Sequence, residues 1–159
     1  LAPLRDQGVL VIGSGGFVHN LGDLDWSHKD APLKPWAQEF GDWMHTMLAA
    51  VGGRVDAIFY CPHAPDEGCR CRKPEPGLFE QIGLRFGVPL KGVPTVGDSL
   101  RDVLAGAAVG CEPHLVLTGK SEKYRGLPPP QDLPPGTLVH QDLSAFADFI
   151  LAREAELAL

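Results

Sequence analysis

The stretch GVPTVGDSLRDVLAGAAVGCEPHLVLTG, residues 92–119, determines which fold the sequence predicts. It begins with a short apolar strand, continues with a helix that repeats Leu100, Val103 and Ala107 at helical spacing, and ends in the apolar strand HLVLTG. Ser99 directly precedes the helix, where a hydroxyl side chain can cap the first turn. A strand, a helix and a strand in this order predict a βαβ unit with parallel strands.

The same alternation of strands and helices continues on both sides of this unit. Strands are predicted at GVLVIGSGG (8–16), VDAIFYC (55–61) and TLVHQDL (137–143), and helices at about 36–48, 77–86 and 144–157. The chain of 159 residues is long enough for one ordinary domain. We therefore expect an α/β fold, with a mainly parallel sheet and helices on both of its faces.

The composition limits the classes of partner. The formal net charge of −6 argues against nucleic acid or an anionic membrane as the main partner, although a local group of cations can still bind an anionic small substrate. No apolar run approaches about 18 residues, and the first residues, LAPLRDQGVL, lack the basic head of a secretory signal. We therefore expect a cytoplasmic protein, and a monomer. Because the chain starts without Met, we expect a fragment or a processed product.

The stretch CPHAPDEGCRCRKPEP, residues 61–76, has the ligand spacing of a metal site. Cys61, His63, Cys69 and Cys71 supply three thiolates and one imidazole. These four ligands form a closed tetrahedral set for zinc with no position left for water, which is typical of a structural site. A redox centre needs a Cys-x-x-Cys pair, and the sequence has none. Reduced cysteines without a metal are the alternative.

Cations directly follow the last of these cysteines. Arg72 and Lys73 are either a solvated charge run or, if zinc fixes the loop, preorganised donors for an anionic phosphate group. Asp98 follows an apolar strand at the carboxyl edge of the predicted sheet, where α/β proteins place ligands. Its carboxylate is suited to hold Mg²⁺, and capping of the next helix is the alternative role.

Residues from about 46 to the end of the chain resemble one family. The motifs VDAIFYCPHAPDEGCRCRKPEPG, VPTVGDSLRD, AGAAVGC and LVLTG are similar to those of the D-glycero-D-manno-heptose 1,7-bisphosphate 7-phosphatases. These are small hydrolases of the haloacid-dehalogenase type, akin to histidinol-phosphate phosphatases. The resemblance implies a haloacid-dehalogenase-like, Rossmannoid domain over residues 46–159, incomplete at its N-terminal side. It also implies Mg²⁺-dependent hydrolysis of a sugar phosphomonoester in the metabolism of lipopolysaccharide core precursors.

The same resemblance assigns roles to the motif residues. It implies structural zinc on the four Cys and His ligands, and substrate phosphate on Arg72 and Lys73. Lys73 would also balance the charge of an aspartyl nucleophile, and Asp98 would be a Mg²⁺ ligand. Ser14, at the end of the strand VLVIGS, stands in for the hydroxyl that binds phosphate in the family.

The family's nucleophile is an Asp-x-Asp pair at the tip of its first strand, where this chain differs. Its Asp-x-Asp pair is Asp23 and Asp25; no apolar strand runs directly into it, and Trp26 stands where the family has a glycine. The pair is therefore a candidate nucleophile that departs from the family pattern. The sequence predicts turnover near background, and a non-enzymatic zinc module or a phosphate-binding remnant is the alternative function.

Residues 1–45 resemble a different family. GVLVIGSGGFVHNLGDLDW and PWAQEFGDWM are similar to an internal segment of the class III extradiol ring-cleavage dioxygenases. That resemblance implies proton transfer by His19 and would require non-haem iron. Together the two resemblances predict a chimeric chain with a join near residues 44–50, and an extradiol dioxygenase is a further alternative function.

Overall fold

The computed structural model describes residues 12–14, 35–61, 63 and 66–157. Its sheet has four strands in the order β1-β2-β3-β4, and every neighbouring pair is parallel. The strands are β1 (Ile12–Ser14), β2 (Pro94–Gly97), β3 (Glu112–Val116) and β4 (Leu138–His140). The predicted parallel α/β sheet is therefore confirmed, and residues 92–119 contribute its two central strands.

Four α-helices and one 3₁₀ helix occur in the described part of the chain. They are α1 (Pro35–Ala50), α2 (Gly77–Phe86), α3 (Leu100–Ala108) and α4 (Leu143–Leu157), and the 3₁₀ helix Gly119–Tyr124 lies between β3 and β4. None of these helices is long and apolar enough to cross a membrane. The join expected near residues 44–50 would fall inside α1, which is continuous there, and the division of the chain at residue 45 stays a prediction.

Helices cover both faces of the sheet, as the sequence predicted. Val116 on β3 packs with Phe146 of α4, whereas its neighbour Leu115 packs with Val103 of α3. Successive residues of a strand point to opposite faces, so α3 and α4 lie on opposite sides of β3. A third cluster joins Ile12 of β1 to α2 and α3.

The βαβ unit is closely packed because small residues stand where its elements meet. A Cβ on Gly106 of α3 would lie 2.6 Å from the Thr95 Oγ1 of β2, which is closer than carbon and oxygen can approach. Ser99 occupies the N-cap position of α3, as predicted. Its backbone N–H and its hydroxyl both donate to Asp102 Oδ2, over 3.0 and 2.6 Å.

The predicted strand at residues 55–61 is wrong, because this segment lies outside every helix and strand. Its side chains alternate between half-buried and exposed, and Ile58 and Tyr60 are 45% and 54% exposed. β1 pairs directly with β2, and the sheet has no described strand beyond β1 to which this segment could pair. An apolar run can predict burial, but a strand also needs a neighbour that accepts and donates its backbone hydrogen bonds.

Candidate phosphate and metal site

The predicted zinc ligands come together in space. The donor atoms of Cys61, His63, Cys69 and Cys71 all lie within 4.8 Å of one another. The three sulfurs are 3.3–3.5 Å apart, and His63 Nδ1 lies 3.0 Å from the Cys71 sulfur. With zinc–sulfur bonds of about 2.3 Å, tetrahedral geometry sets neighbouring sulfurs about 3.8 Å apart. The cluster therefore has the ligand types and nearly the dimensions of a closed tetrahedral zinc site.

The electrostatics of the cluster also favour a bound cation. Burial, together with the neighbouring Cys61 and Cys69 sulfurs, raises the pKa of the Cys71 thiol to about 12. Three thiolates this close repel one another unless a positive charge lies between them. A divalent metal supplies that charge, since a thiol that coordinates a metal is deprotonated and releases its proton to solvent. The donor set thus fits zinc chemically as well as geometrically.

A close backbone approach fixes the end of the Cys/His loop to the start of α2. The Gly77 N–H donates to the Arg70 carbonyl oxygen over 2.9 Å. A Cβ at position 77 would lie 2.5 Å from the same oxygen, so this contact requires glycine. This hydrogen bond closes the segment 70–77, which contains Arg72 and Lys73.

The Lys73 side chain connects the Cys/His loop to the carboxyl end of the sheet. Its Nζ lies 2.5 Å from Asp102 Oδ1, and the Asp102 side chain is only 3% exposed. Because Asp102 also accepts the Ser99 hydrogen bonds, Lys73 is held beside the residue that directly follows Asp98. Arg101 strengthens the link, since its guanidinium donates to the Lys73 backbone carbonyl. The Cys/His loop and the carboxyl edge of β2 are thus joined through the ion pair between Lys73 and the buried Asp102.

Arg72 contacts the Cys/His cluster directly. Its Nη2 donates to the backbone carbonyl of His63, one of the four predicted ligands. Its Nε is buried and has no hydrogen-bond partner in the described part of the chain. A buried donor without a partner is unfavourable by roughly 1–3 kcal/mol, so this position is suited to an anionic ligand.

Asp98 lies at the carboxyl end of β2, as predicted, and is half-buried. Its Oδ2 accepts a hydrogen bond from the Lys120 backbone N–H over 3.1 Å. Ser99, and not Asp98, occupies the cap position of α3, so Asp98 does not serve as the helix cap. A single carboxylate fits Mg²⁺, which is usually bound through one or two carboxylates together with waters and substrate phosphate.

The other predicted site residues lie at the N-terminal side of the chain. Ser14 ends β1 and pairs in register with Gly97, so its backbone lies beside the residue that precedes Asp98. Asp23, Asp25 and His19 lie outside the described residues. Their roles, like those of Arg72, Lys73 and Asp98, stay predictions.

Sequence reasoning missed Asp102 as the partner of Lys73. The Ser-x-x-acid spacing of a helix capping box signals the contact of Asp102 with Ser99, but it does not indicate the contact with Lys73. It also missed the turn at Gly119 and Lys120, for which no local motif stands in the sequence. Contacts between segments that lie more than twenty residues apart cannot be obtained from spacing alone.

A family profile and two solved structures identify the family of this chain. A profile described as HAD-hydrolase-like matches residues 70–145. The crystal structure of D,D-heptose 1,7-bisphosphate phosphatase from Burkholderia thailandensis is 37% identical with a TM-score of 0.60, and the alignment covers 94% of this chain and 80% of that one. The chain belongs to the HAD-like hydrolases. The corresponding Bordetella bronchiseptica structure, which is complexed with magnesium and phosphate, is 50% identical with a TM-score of 0.68, over 74% of this chain and 64% of that one.

Curated relatives of this HAD-like chain include heptose-bisphosphate phosphatases. The D-glycero-beta-D-manno-heptose-1,7-bisphosphate 7-phosphatases of Bordetella bronchiseptica and Pseudomonas aeruginosa are 54% and 49% identical, over 69% and 68% of this chain. The alignments cover 60% and 58% of those proteins, so the chain spans about 60% of the length of the curated relatives it matches. The comparisons do not support the resemblance of residues 1–45 to a dioxygenase, and a phosphatase structure aligns with 94% of the chain.

Proposed function

We propose that this chain is a Mg²⁺-dependent phosphatase of a sugar phosphomonoester, D-glycero-D-manno-heptose 1,7-bisphosphate, from which it removes the phosphate at C7. One observation carries the proposal. The Lys73 ammonium is fixed 2.5 Å from a buried carboxylate, at the edge of the sheet where β2 delivers Asp98. A fixed cation beside a second carboxylate is an arrangement that binds phosphate and a divalent metal together. The names of the relatives supply the choice of sugar.

Phosphate is bound by Arg72 and Lys73 in this proposal. The buried Arg72 Nε is a donor that lacks a partner in the described residues, and a phosphate oxygen would satisfy it. Lys73 contributes a positive charge. Its ion pair with Asp102 keeps the Lys73 side chain from turning into solvent. Residues 72 and 73 directly follow Cys71. Zinc bound by the Cys/His cluster would therefore fix the backbone from which both side chains extend. Zinc acts here as a structural clamp and takes no part in the reaction.

Mg²⁺ would be held by Asp98 together with waters and phosphate oxygens. Bound there, it would neutralise charge on the phosphoryl group during transfer. Asp98 Oδ2 already accepts the Lys120 N–H, which leaves the second carboxylate oxygen to face a cation. The positive charge of Lys73 would offset part of the remaining negative charge of the phosphate.

The reaction also needs a carboxylate nucleophile. Attack of a carboxylate oxygen on phosphorus breaks the bond to the C7 oxygen, a second acid protonates that oxygen, and water then releases inorganic phosphate. Asp102 is unsuited to the attack, because it is buried and engaged by Lys73 and Ser99. Asp23 and Asp25 stay the candidates for this role.

Phosphate release from the heptose bisphosphate tests the proposal. The zinc-loaded chain with Mg²⁺ is compared with Lys73→Met, and with Arg70→Gln as a matched control, because Arg70 is a 74% exposed cation of the same loop. Loss of a charge that stabilises the transition state lowers the rate by roughly 100-fold or more. We expect that loss for Lys73→Met and a rate within about twofold of wild type for Arg70→Gln. Equal rates for both variants would contradict the role of Lys73.

Two further outcomes separate the remaining alternatives. Loss of release in Asp23→Ala or Asp25→Ala would identify the nucleophile pair. Binding of the bisphosphate in calorimetry without release of phosphate would instead make the chain a phosphate-binding module.

A further inference from the structure

The turn that follows β3 touches the carboxylate of Asp98. The chain leaves β3 through Leu117 and Thr118 and enters the 3₁₀ helix at Gly119, which has a φ of 51°. The next residue, Lys120, donates its backbone N–H to Asp98 Oδ2 over 3.1 Å. This contact joins the residue that follows β2 to the 3₁₀ helix that follows β3, 22 residues apart in sequence.

Position 119 has no room for a side chain. A Cβ built there would lie 2.2 Å from Asp98 Oδ2 and 3.1 Å from Asp98 Cγ. The positive φ also disfavours any residue with a Cβ, by roughly 1 kcal/mol. Two independent reasons therefore require glycine, and the steric one acts on the Asp98 carboxylate specifically.

The turn itself is held from the side opposite Asp98. The Leu117 N–H donates to the His140 carbonyl at the end of β4, and the Leu117 carbonyl accepts from Arg125 Nε over 2.7 Å. Arg125 also donates to the Gln141 carbonyl, and Ser121 within the 3₁₀ helix is buried. Because the turn is anchored to β4 in this way, a side chain at position 119 would displace Asp98 rather than the turn.

We propose that Gly119 is a positioning residue for Asp98. The missing side chain lets the carboxylate lie against the turn, and the Lys120 N–H then fixes which oxygen faces the backbone and which faces outward. An acceptor that is held by a backbone donor does not have to be reoriented when a cation binds. The inference rests on the proposed function in one respect, that the outward oxygen of Asp98 binds Mg²⁺.

The chain offers a matched control at Gly126. This glycine also has a positive φ, 72°, but a Cβ added there would meet nothing within 4 Å. Gly126→Ala therefore carries the same kind of backbone strain as Gly119→Ala without the collision with Asp98. Both variants should lower the melting temperature, and only Gly119→Ala should alter the site.

The experiment combines crystal structures of the two zinc-loaded variants with calorimetric titration of Mg²⁺. Loss of a partner that orients a metal ligand lowers metal affinity by roughly 10- to 100-fold. We expect that loss for Gly119→Ala, with the Asp98 carboxylate moved off Lys120 N, and affinity within about twofold of wild type for Gly126→Ala. We also expect high Mg²⁺ concentrations to restore phosphate release in Gly119→Ala, which a folding defect would not allow.

The contrary outcomes are distinguishable. An unmoved Asp98 carboxylate in Gly119→Ala, whatever the Mg²⁺ affinities of the two variants, would overturn the positioning role alone. A displaced carboxylate with wild-type Mg²⁺ affinity would overturn both the positioning role and the assignment of Asp98 as a Mg²⁺ ligand.

Discussion

Replacement of Lys73 by Met would remove the ammonium group from the buried carboxylate of Asp102. The two side chains are 24% and 3% exposed, so water screens their 2.5 Å contact weakly. Breaking a buried pair by removing one partner destabilises a protein by about 3–5 kcal/mol. Asp102 keeps two hydrogen bonds from Ser99, which offset part of that loss. We therefore expect Lys73→Met to lower the free energy of unfolding by about 2 kcal/mol.

A double-mutant cycle isolates the interaction between the two side chains. Lys73→Met, Asp102→Asn and the double variant are unfolded in urea at pH 7 with zinc in excess. Asn retains an oxygen that accepts the Ser99 bonds, so the cycle reports the ion pair. We expect a coupling energy of about 1.5–2 kcal/mol.

The control is a second ion pair that involves the same loop and whose two side chains are exposed. Arg70 Nη2 lies 2.7 Å from Glu80 Oε1, with side chains 74% and 43% exposed. The cycle of Arg70→Met and Glu80→Gln should give a coupling energy below about 0.5 kcal/mol, because solvent screens such pairs. Equal coupling energies in the two cycles would refute the inference that the burial of Asp102 holds Lys73.

Three other predictions follow from packing, metal binding and titration. Cys71→Ser should abolish binding of about one zinc per chain, measured by elemental analysis, whereas the equally buried Cys111→Ser should retain it; zinc retained by both would exclude the cluster. Gly106→Ala should destabilise the chain by about 1–3 kcal/mol in urea, because its Cβ would collide with Thr95, and an unchanged midpoint would contradict that packing. Burial lowers the pKa of His114 from 6.5 to about 4, so the unfolded chain binds this proton more readily. Stability is therefore lost as pH falls from about 6.5 to about 4, by about 3 kcal/mol, and His114→Gln should remove that part of the pH dependence; identical pH profiles would argue against it.

The central βαβ unit was predictable because its information is local. An apolar strand, Ser99 at the helix start and the helical repeat that follows all lie within one continuous stretch, and the structure reproduces them. The Cys/His cluster was predictable for the same reason, since all four ligands fall within eleven consecutive residues. Local spacing was enough wherever the interacting groups are close in sequence.

The parts that the sequence did not predict depend on distant partners. The segment at 55–61 is apolar enough for a strand, but β1 pairs with β2 and leaves it without a described neighbour. The Lys73–Asp102 pair joins residues 29 apart, and the Lys120–Asp98 contact joins residues 22 apart. Such contacts follow from how the sheet orders its strands, which no spacing within one segment encodes.

Calorimetric titration with D-glycero-D-manno-heptose 1,7-bisphosphate measures whether the Cys/His loop, held by zinc, presents Arg72 and Lys73 to a phosphate beside Asp98. We predict that the zinc-loaded chain with Mg²⁺ binds the bisphosphate and that Lys73→Met weakens binding by about tenfold or more. The exposed control Arg70→Gln should leave binding within about twofold of wild type. Equal weakening by both variants, or no binding by the wild-type chain, would contradict this prediction.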